Sequence, residues 1–387
     1  MAQRDLLENA QAKAKQTLAI LETQNAGFGS LNAPAHLLIE LEDQRQKVLK
    51  IETELARFDN VTTPPPPQNL SAILSELESN LTEVGNALVE GSLVFFLGNE
   101  ANLTIPLNGS AIYPPGEREL AQELAKKFRF QPDPTKEFLK VAQRVAVMNG
   151  VGSLYEELRR LLSVEGQPLF LHRALATLPA ILREKGSPNP YQLIVTNHYD
   201  DLLEQAFGMV DEPFDLVAYV AEGDNRGKFR HWPPGNQRGV LIEIPNEYNV
   251  LSLKERTIIL KIHGAVHGAD PQLNKYAVTE DHYIDYMRRA DISNLVPANL
   301  LRTLRWSHLL FLGYSLEDWS LRLILSRLWG EEGFGYSSWS VQGSPTPLDK
   351  KLWTKKEVES VTANLEVYLT GLTEQVRNLL ELLEESR

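Results

Sequence analysis

Four short runs of the chain are apolar at nearly every position: Leu93–Leu97 (LVFFL), Leu193–Thr196 (LIVT), Thr257–Ile262 (TIILKI) and Leu309–Leu312 (LLFL). A strand with one wet face alternates apolar and polar residues, so unbroken runs of this length belong to strands buried on both faces. Helical periodicity fills the intervals, near 70–90, 117–128, 135–148, 153–163, 168–184, 279–290 and 297–306. Strands alternating with helices predict an α/β fold with a parallel, doubly wound sheet. Trp339–Gln342 and Val358–Thr362 extend the strand series, and 364–386 reads as an amphipathic closing helix. The stretch 211–250, with its Trp232-Pro233-Pro234-Gly235-Asn236 turn, reads as loop-rich.

Ahead of this pattern stands something different. Residues 2–24 and 33–58 are rich in Ala, Leu, Glu, Gln and Lys, and Leu37, Leu41, Val48, Ile51 and Leu55 recur at coiled-coil spacing. Gly27, Gly29, Asn32 and Pro34 break the pattern, so 1–58 reads as an α-helical hairpin. Two helices alone bury too little to be stable, which points to pairing with another copy or with a partner protein. Thr62-Thr63-Pro64-Pro65-Pro66-Pro67-Gln68, within 59–69, is a stiff polyproline spacer. The domain after it is expected to span 70–387.

Composition narrows the function classes. A net charge of −12 argues against a chain that clings to nucleic acid. No apolar run approaches the roughly 18–20 residues of a membrane span, so no membrane partner is expected. The chain has no cysteine. That removes thiol catalysis and zinc–thiolate sites and fits a cytoplasmic protein.

The carboxyl ends of the buried strands carry the chemistry. Gly98-Asn99-Glu100-Ala101-Asn102, Thr196-Asn197-His198-Tyr199-Asp200, His263-Gly264 and Gly313-Tyr314-Ser315 each follow a strand directly. In a parallel sheet these ends share one rim, where open α/β folds bind their ligands, so the clusters should meet in one crevice. Asp200 or Asp201 suits the N-cap of the helix that follows. His263 and His267 do not make a metal pair, because a strand–Gly turn does not place side chains four apart together.

These residues sit in motifs that resemble the prokaryotic SIR2-like domains, relatives of sirtuins that serve as NAD-consuming effectors in anti-phage defence. The resemblance rests on FLGNEANL (96–103), LIVTNHYDDLLEQAF (193–207), ILKIHGAV (259–266), VTEDHYIDYM (278–287), FLGYSLEDWSLRLIL (311–325) and SWSVQ (338–342), in that order. It implies a Rossmann-like sheet with a helical insertion, about 117–185 here. It also implies NAD+ as substrate. The N-terminal hairpin more loosely resembles the helical adaptors that precede such effectors.

Residue by residue, the resemblance assigns the pyrophosphate turn to Gly98, Asn99, Glu100 and Asn102. It assigns the ribose-holding strand end to Thr196, Asn197, His198 and Asp200, the proton-accepting histidine to His263, and the adenine-side ribose turn to Gly313, Tyr314 and Ser315. Two positions depart from the family pattern. Glu100 stands where a second Gly is usual, and a carboxylate there would repel phosphate. His198 aligns with the usual Asn, which leaves Asn197 one residue early. Two functions are therefore open: an NAD+ hydrolase cleaving the nicotinamide–ribose bond, or a catalytically degenerate domain acting as nucleotide sensor or scaffold.

Overall fold

The computed structural model describes residue 15 and residues 70–102, 115–131, 138–162, 168–265, 276–288, 296–329 and 334–385. The expected hairpin of 1–58 and the proline spacer lie outside the described residues, residue 15 excepted. The chain divides into two compact units, Met1–Glu76 and Leu77–Arg387, and the second carries the sheet.

Helix α1 (Leu70–Val89) leads into strand β1 (Leu93–Leu97) and a 3-10 turn, Asn99–Asn102. Among the described residues, four helices follow before the next strand: α2 (Glu117–Lys127), α3 (Phe138–Asn149), α4 (Val151–Leu162) and α5 (Phe170–Glu184). Then come β2 (Leu193–Thr196), α6 (Leu202–Met209), β3 (Phe214–Tyr219), β4 (Phe229–Trp232), β5 (Val240–Ile242) and β6 (Thr257–Lys261). The remainder is α7 (Glu280–Arg288), α8 (Ala298–Arg305), β7 (His308–Leu312), α9 (Trp319–Trp329), β8 (Ser338–Gln342), α10 (Pro347–Thr354), β9 (Val358–Thr362) and α11 (Leu365–Glu385). Among the described residues, no helix is long and apolar enough to cross a membrane.

One nine-stranded sheet runs in the order β5-β4-β3-β6-β2-β1-β7-β8-β9. All neighbours pair in parallel except β3–β4 and β4–β5. This is the doubly wound α/β fold, Rossmann-like in that the chain leaves β1 on one side for β2 and returns on the other as β7.

The apolar runs behave as two-faced strands must. Val94 and Phe96 of β1 join Leu193 and Val195, Ile258 and Leu260, and Leu309 and Phe311 on one face. Phe95, Ile194, Ile259 and Leu310 lie on the other. Helices α2–α4 and α7–α9 cover the first face, and α1, α5, α6 and α11 the second. Phe96 shows the packing: its ring centroid is 5.0 Å from Phe311 and 6.0 Å from Trp329. Truncating such a ring to Ala costs about 3–5 kcal/mol.

The loop-rich reading of 211–250 is corrected: β3, β4 and β5 lie there. Asp215 interrupts the apolar pattern of β3, yet it is fully buried because His231 and Arg256 bond its two carboxylate oxygens, each at 2.8 Å. A buried carboxylate with partners reads in sequence like a loop residue. Strands β4 and β5 are short and antiparallel at the sheet edge, where the pattern of a doubly buried strand does not apply.

Register sets the height of the rim. Leu97 pairs with Thr196 on one side and Leu312 on the other, and Thr196 pairs with Lys261. Four turns therefore leave the sheet at one level. The turns after β1 and β7 are also in direct backbone contact. A Cβ on Gly98 would lie 2.4 Å from Tyr314 Cα, and one on Gly313 (φ +64°) would lie 2.8 Å from Ala101 N.

Gly98→Ala should thus lower stability by about 1–3 kcal/mol, while Gly208→Ala, in open space on α6, should raise it by up to about 1 kcal/mol. Urea denaturation midpoints with unchanged m-values would show both. A Gly98→Ala midpoint equal to wild type would contradict the close contact.

Candidate functional site

The turns after β1 and β2 are stitched together by side chains. Asn197 Nδ2 donates to Asn99 Oδ1 at 2.8 Å, and Asn102 Nδ2 donates to Asp200 Oδ2 at 2.8 Å. His198 Nε2 lies 2.9 Å from the Gly98 carbonyl oxygen. A carbonyl only accepts, so Nε2 carries the hydrogen. Thr196 Oγ1 accepts from the His198 N–H at 3.0 Å, tightening the end of β2. The α6 cap bond comes from Asp200, whose Oδ1 accepts from the Leu202 N–H at 3.2 Å. Asp201 occupies the N-cap position but its side chain makes no cap bond.

A crevice of about 70 Å³ opens between these turns. Asn99, Asn102 and the Asn197–Asp200 segment line one side, and Gly116 and Glu117 at the start of α2 line the other. That volume takes a few waters or a ring-sized group, well below the roughly 300–1,000 Å³ of a ligand site enclosing a whole cofactor. Both Asn102 Oδ1 and Asn197 Oδ1 are buried with no hydrogen-bond partner among the described residues. Orphan acceptors of this kind call for a donor such as a hydroxyl or an amide N–H.

His263 stands next to this crevice, behind Tyr199. It is 3% exposed, and its ring stacks on Tyr199 with centroids 6.4 Å apart. The Tyr283 hydroxyl lies 3.2 Å from Nδ1 and 3.4 Å from Nε2. Burial holds the imidazole down to about 3, so it is neutral at physiological pH. Helix α7, which carries Tyr283, is anchored by His282. There Nδ1 accepts from the Val278 and Thr279 N–H groups at 3.1 Å, and Nε2 meets Glu222 Oε1 at 2.7 Å.

Beneath the rim lies a buried polar layer that sequence reasoning missed. Lys261, 1% exposed, ends β6 and bonds the Asp200 carbonyl oxygen, and its Nζ is 2.5 Å from Glu204 Oε1. Burial pushes the Glu204 carboxyl up, with Lys261 pulling against it. Burial would also raise Asp200, but His198, Lys261, His172 and the Leu202 N–H outweigh it and hold that carboxyl below its usual range. His198 is pushed down by burial. His172 of α5 is likewise pushed down to about 4 by burial, with Asp200 opposing. A lysine inside an apolar run was the one available signal for this layer, whereas nothing around His172 in the sequence hinted at it.

The structure brings Gly98, Asn99, Asn102, Thr196, Asn197, His198, Asp200 and His263 into one neighbourhood. Other predicted residues stand elsewhere. Glu100 turns away to the β8 end, where the Gly343 N–H and the Gln342 side chain bond its carboxyl and Asp349 lies close. Burial pushes that carboxyl above its usual range. Tyr314 is a core residue, wholly buried against Phe311 and Trp353. Ser315 Oγ accepts from the Glu317 N–H at 3.2 Å in a local turn. His267 lies outside the described residues.

The pyrophosphate cradle implied for the first turn does not fit these contacts. The N–H groups of Gly98, Glu100 and Ala101 donate to Leu312, Gly313 and Gly98 carbonyls respectively. Gly98 is glycine because Tyr314 packs on it.

A doubly wound sheet with polar turns converging beside its switch strand is the arrangement in which open α/β folds place their ligand crevices. Residues 192–361, from the start of β2 nearly to the end of β9, match the SIR2-like domain family. The matched stretch holds every quoted motif except FLGNEANL, which precedes it. No curated protein matches the chain.

Three buried histidines, His172, His198 and His263, contribute to an acid response in the same sense. The folded values of two of them, about 3 for His263 and about 4 for His172, lie below an unfolded histidine near 6.5. The unfolded chain therefore binds more protons in that window, and stability falls as pH drops below about 6.5. The raised carboxyls of Glu100 and Glu204 act in the opposite sense, but they cancel when a variant is compared with wild type. Between pH 7 and pH 5, His263→Asn should lose about 2 kcal/mol less than wild type in chemical denaturation. Parallel losses would mean that His263 titrates normally in the folded state.

Proposed function

We propose that the chain is a SIR2-like NAD+ hydrolase, cleaving the nicotinamide–ribose bond in the cytoplasm as an anti-phage effector controlled through assembly. The observation that carries this is the pair of unpartnered buried acceptors, Asn102 Oδ1 and Asn197 Oδ1, lining a crevice beside a neutral buried imidazole. The acceptors suit ribose hydroxyls or a carboxamide N–H. His263, oriented by Tyr283, would take a proton from a hydroxyl or a water once a bound ligand or water relieves the desolvation that makes it a weak base here. Asn197, with a free oxygen, fits the ribose role better than His198, whose Nε2 is committed to Gly98. NAD+ supplies a cationic nicotinamide leaving group on its ribose.

A second reading has its own support. The turn N–H groups are spent within the protein, the crevice is small, and Tyr199 shields His263. These features suit a degenerate domain that senses a nucleotide without turning it over.

Incubating full-length protein with NAD+ and following nicotinamide separates the two. Release is expected, with His263→Ala lowering kcat by about 10²–10⁴-fold and Asn197→Ala by about a hundredfold. Binding of NAD+ with no release at high protein concentration would sustain the sensor and end the enzyme. Assembly is expected to run through the N-terminal segment, in a homo-oligomer or with a partner protein. Deleting residues 1–58 should change the mass seen by light scattering while far-UV circular dichroism shows the sheet domain folded. An assembly number unchanged by the deletion would contradict control through that segment.

A further inference from the structure

The Lys261–Glu204 pair is placed where it can govern the crevice without touching anything inside it. Lys261 is the last residue of β6, which is separated from β1 by β2, and lies level with Thr196 of β2. Its ammonium reaches under β2 to the backbone carbonyl of Asp200 and to Glu204 in the first turn of α6. The segment between Thr196 and Leu202 is thus tied at both ends. Thr196 is fixed in the sheet, and Asp200 and Glu204 are fixed to the neighbouring strand.

This is an expensive arrangement. Removing a lysine from water is costly even when it is paired, and an apolar pair of similar volume usually holds a fold at least as well. Glu204 Oε2 is left buried with no partner among the described residues, so the pair is not an optimised stabilising contact. What the pair does uniquely is point. The Asp200 carbonyl has one strong donor, and through it the Asn197–Asp200 turn has one height above the sheet. That height decides whether Asn197 reaches Asn99 and whether Asp200 reaches Asn102.

We propose that Lys261, with Glu204 as its partner, is a positioning residue that sets the Asn197–Asp200 turn and so aims Asn197 into the crevice. The catalytic consequence rests on the NAD+ hydrolase reading, but the positioning itself does not.

The test is the double substitution Lys261→Met with Glu204→Leu in the full chain, which removes both charges together and leaves neither stranded. Hydrogen exchange followed by mass spectrometry reads a peptide covering 197–203, where the His198 and Leu202 N–H groups bond Thr196 Oγ1 and Asp200 Oδ1. Exchange there should speed up by about tenfold or more while the β1 and β7 peptides stay protected. In the nicotinamide assay kcat should fall by about tenfold or more with KM little changed, since a displaced group costs rate rather than binding. Lys261→Met alone, which removes the bond to the Asp200 carbonyl while the Glu204 carboxyl, already pushed up by burial, can take a proton, serves in the same exchange measurement if the double variant does not fold. Unchanged protection of 197–203 in a folded variant overturns the positioning role whatever the assay shows. Faster exchange in the variant together with no nicotinamide release from wild type upholds the positioning role and overturns the hydrolase.

Discussion

Two backbones meet at the carboxyl-end rim of this sheet, between its central strands, more closely than any side chain permits. Gly98 after β1 and Gly313-Tyr314 after β7 touch at distances that exclude a Cβ on either glycine. The contact has a directional effect. It seats the 3-10 turn Asn99–Asn102 on the β7 side, with Glu100 N–H bonded to the Gly313 carbonyl. Glu100 is turned toward β8, while Asn99 and Asn102 are left facing β2. Closing the space between β1 and β7 thus opens the one between β1 and β2. The crevice stands one strand away from the switch point that fold topology alone would indicate.

Below the crevice the rim is charged and buried, which is the costly way to build a turn. Lys261, Glu204, Asp200, His172 and His198 lie together, and burial works against the charged form of each carboxyl and imidazole among them. Only their mutual pairing makes the layer tolerable. Such a layer has few alternative arrangements, since moving one member strands another. The result is a stiff floor beneath side chains whose own oxygens are unpaired. Stiffness below and unmet hydrogen-bonding capacity above are the properties that preorganise a binding site.

The parts visible in the sequence were those set by burial. Runs such as LVFFL and LLFL can pack only between two helical layers, so the parallel sheet and the shared rim followed from the pattern. Parts set by pairing were hidden. Asp215 reads as a loop residue until His231 and Arg256 are placed beside it, and β3 was missed for that reason. The Asn197–His198 ambiguity had the same origin. Neighbouring side chains in a turn point different ways, and although both residues line the crevice, only the structure shows that His198 Nε2 is committed to the Gly98 carbonyl while Asn197 Oδ1 has no partner among the described residues. Glu100 is the reverse case. Its sequence position suggested repulsion of a phosphate, and its partners at β8 withdraw it from the crevice.

The withdrawal of Glu100 bears on how the domain could hold a dinucleotide. A turn whose N–H groups are free would grip the diphosphate first and leave the ribose ends to follow. Here Gly98, Glu100 and Ala101 have spent theirs on the end of β7 and within the turn, so these three do not cradle an anion. The crevice mixes two kinds of partner, since the Asn102 and Asn197 side chains stand on one wall and the start of α2, where helix N–H groups lack intrahelical acceptors, stands on the other. Any diphosphate then has to be held from outside these turns, and its grip is separable from that on the ribose. On the NAD+ reading proposed above, such a division would separate selectivity at the ribose end from the grip on the diphosphate.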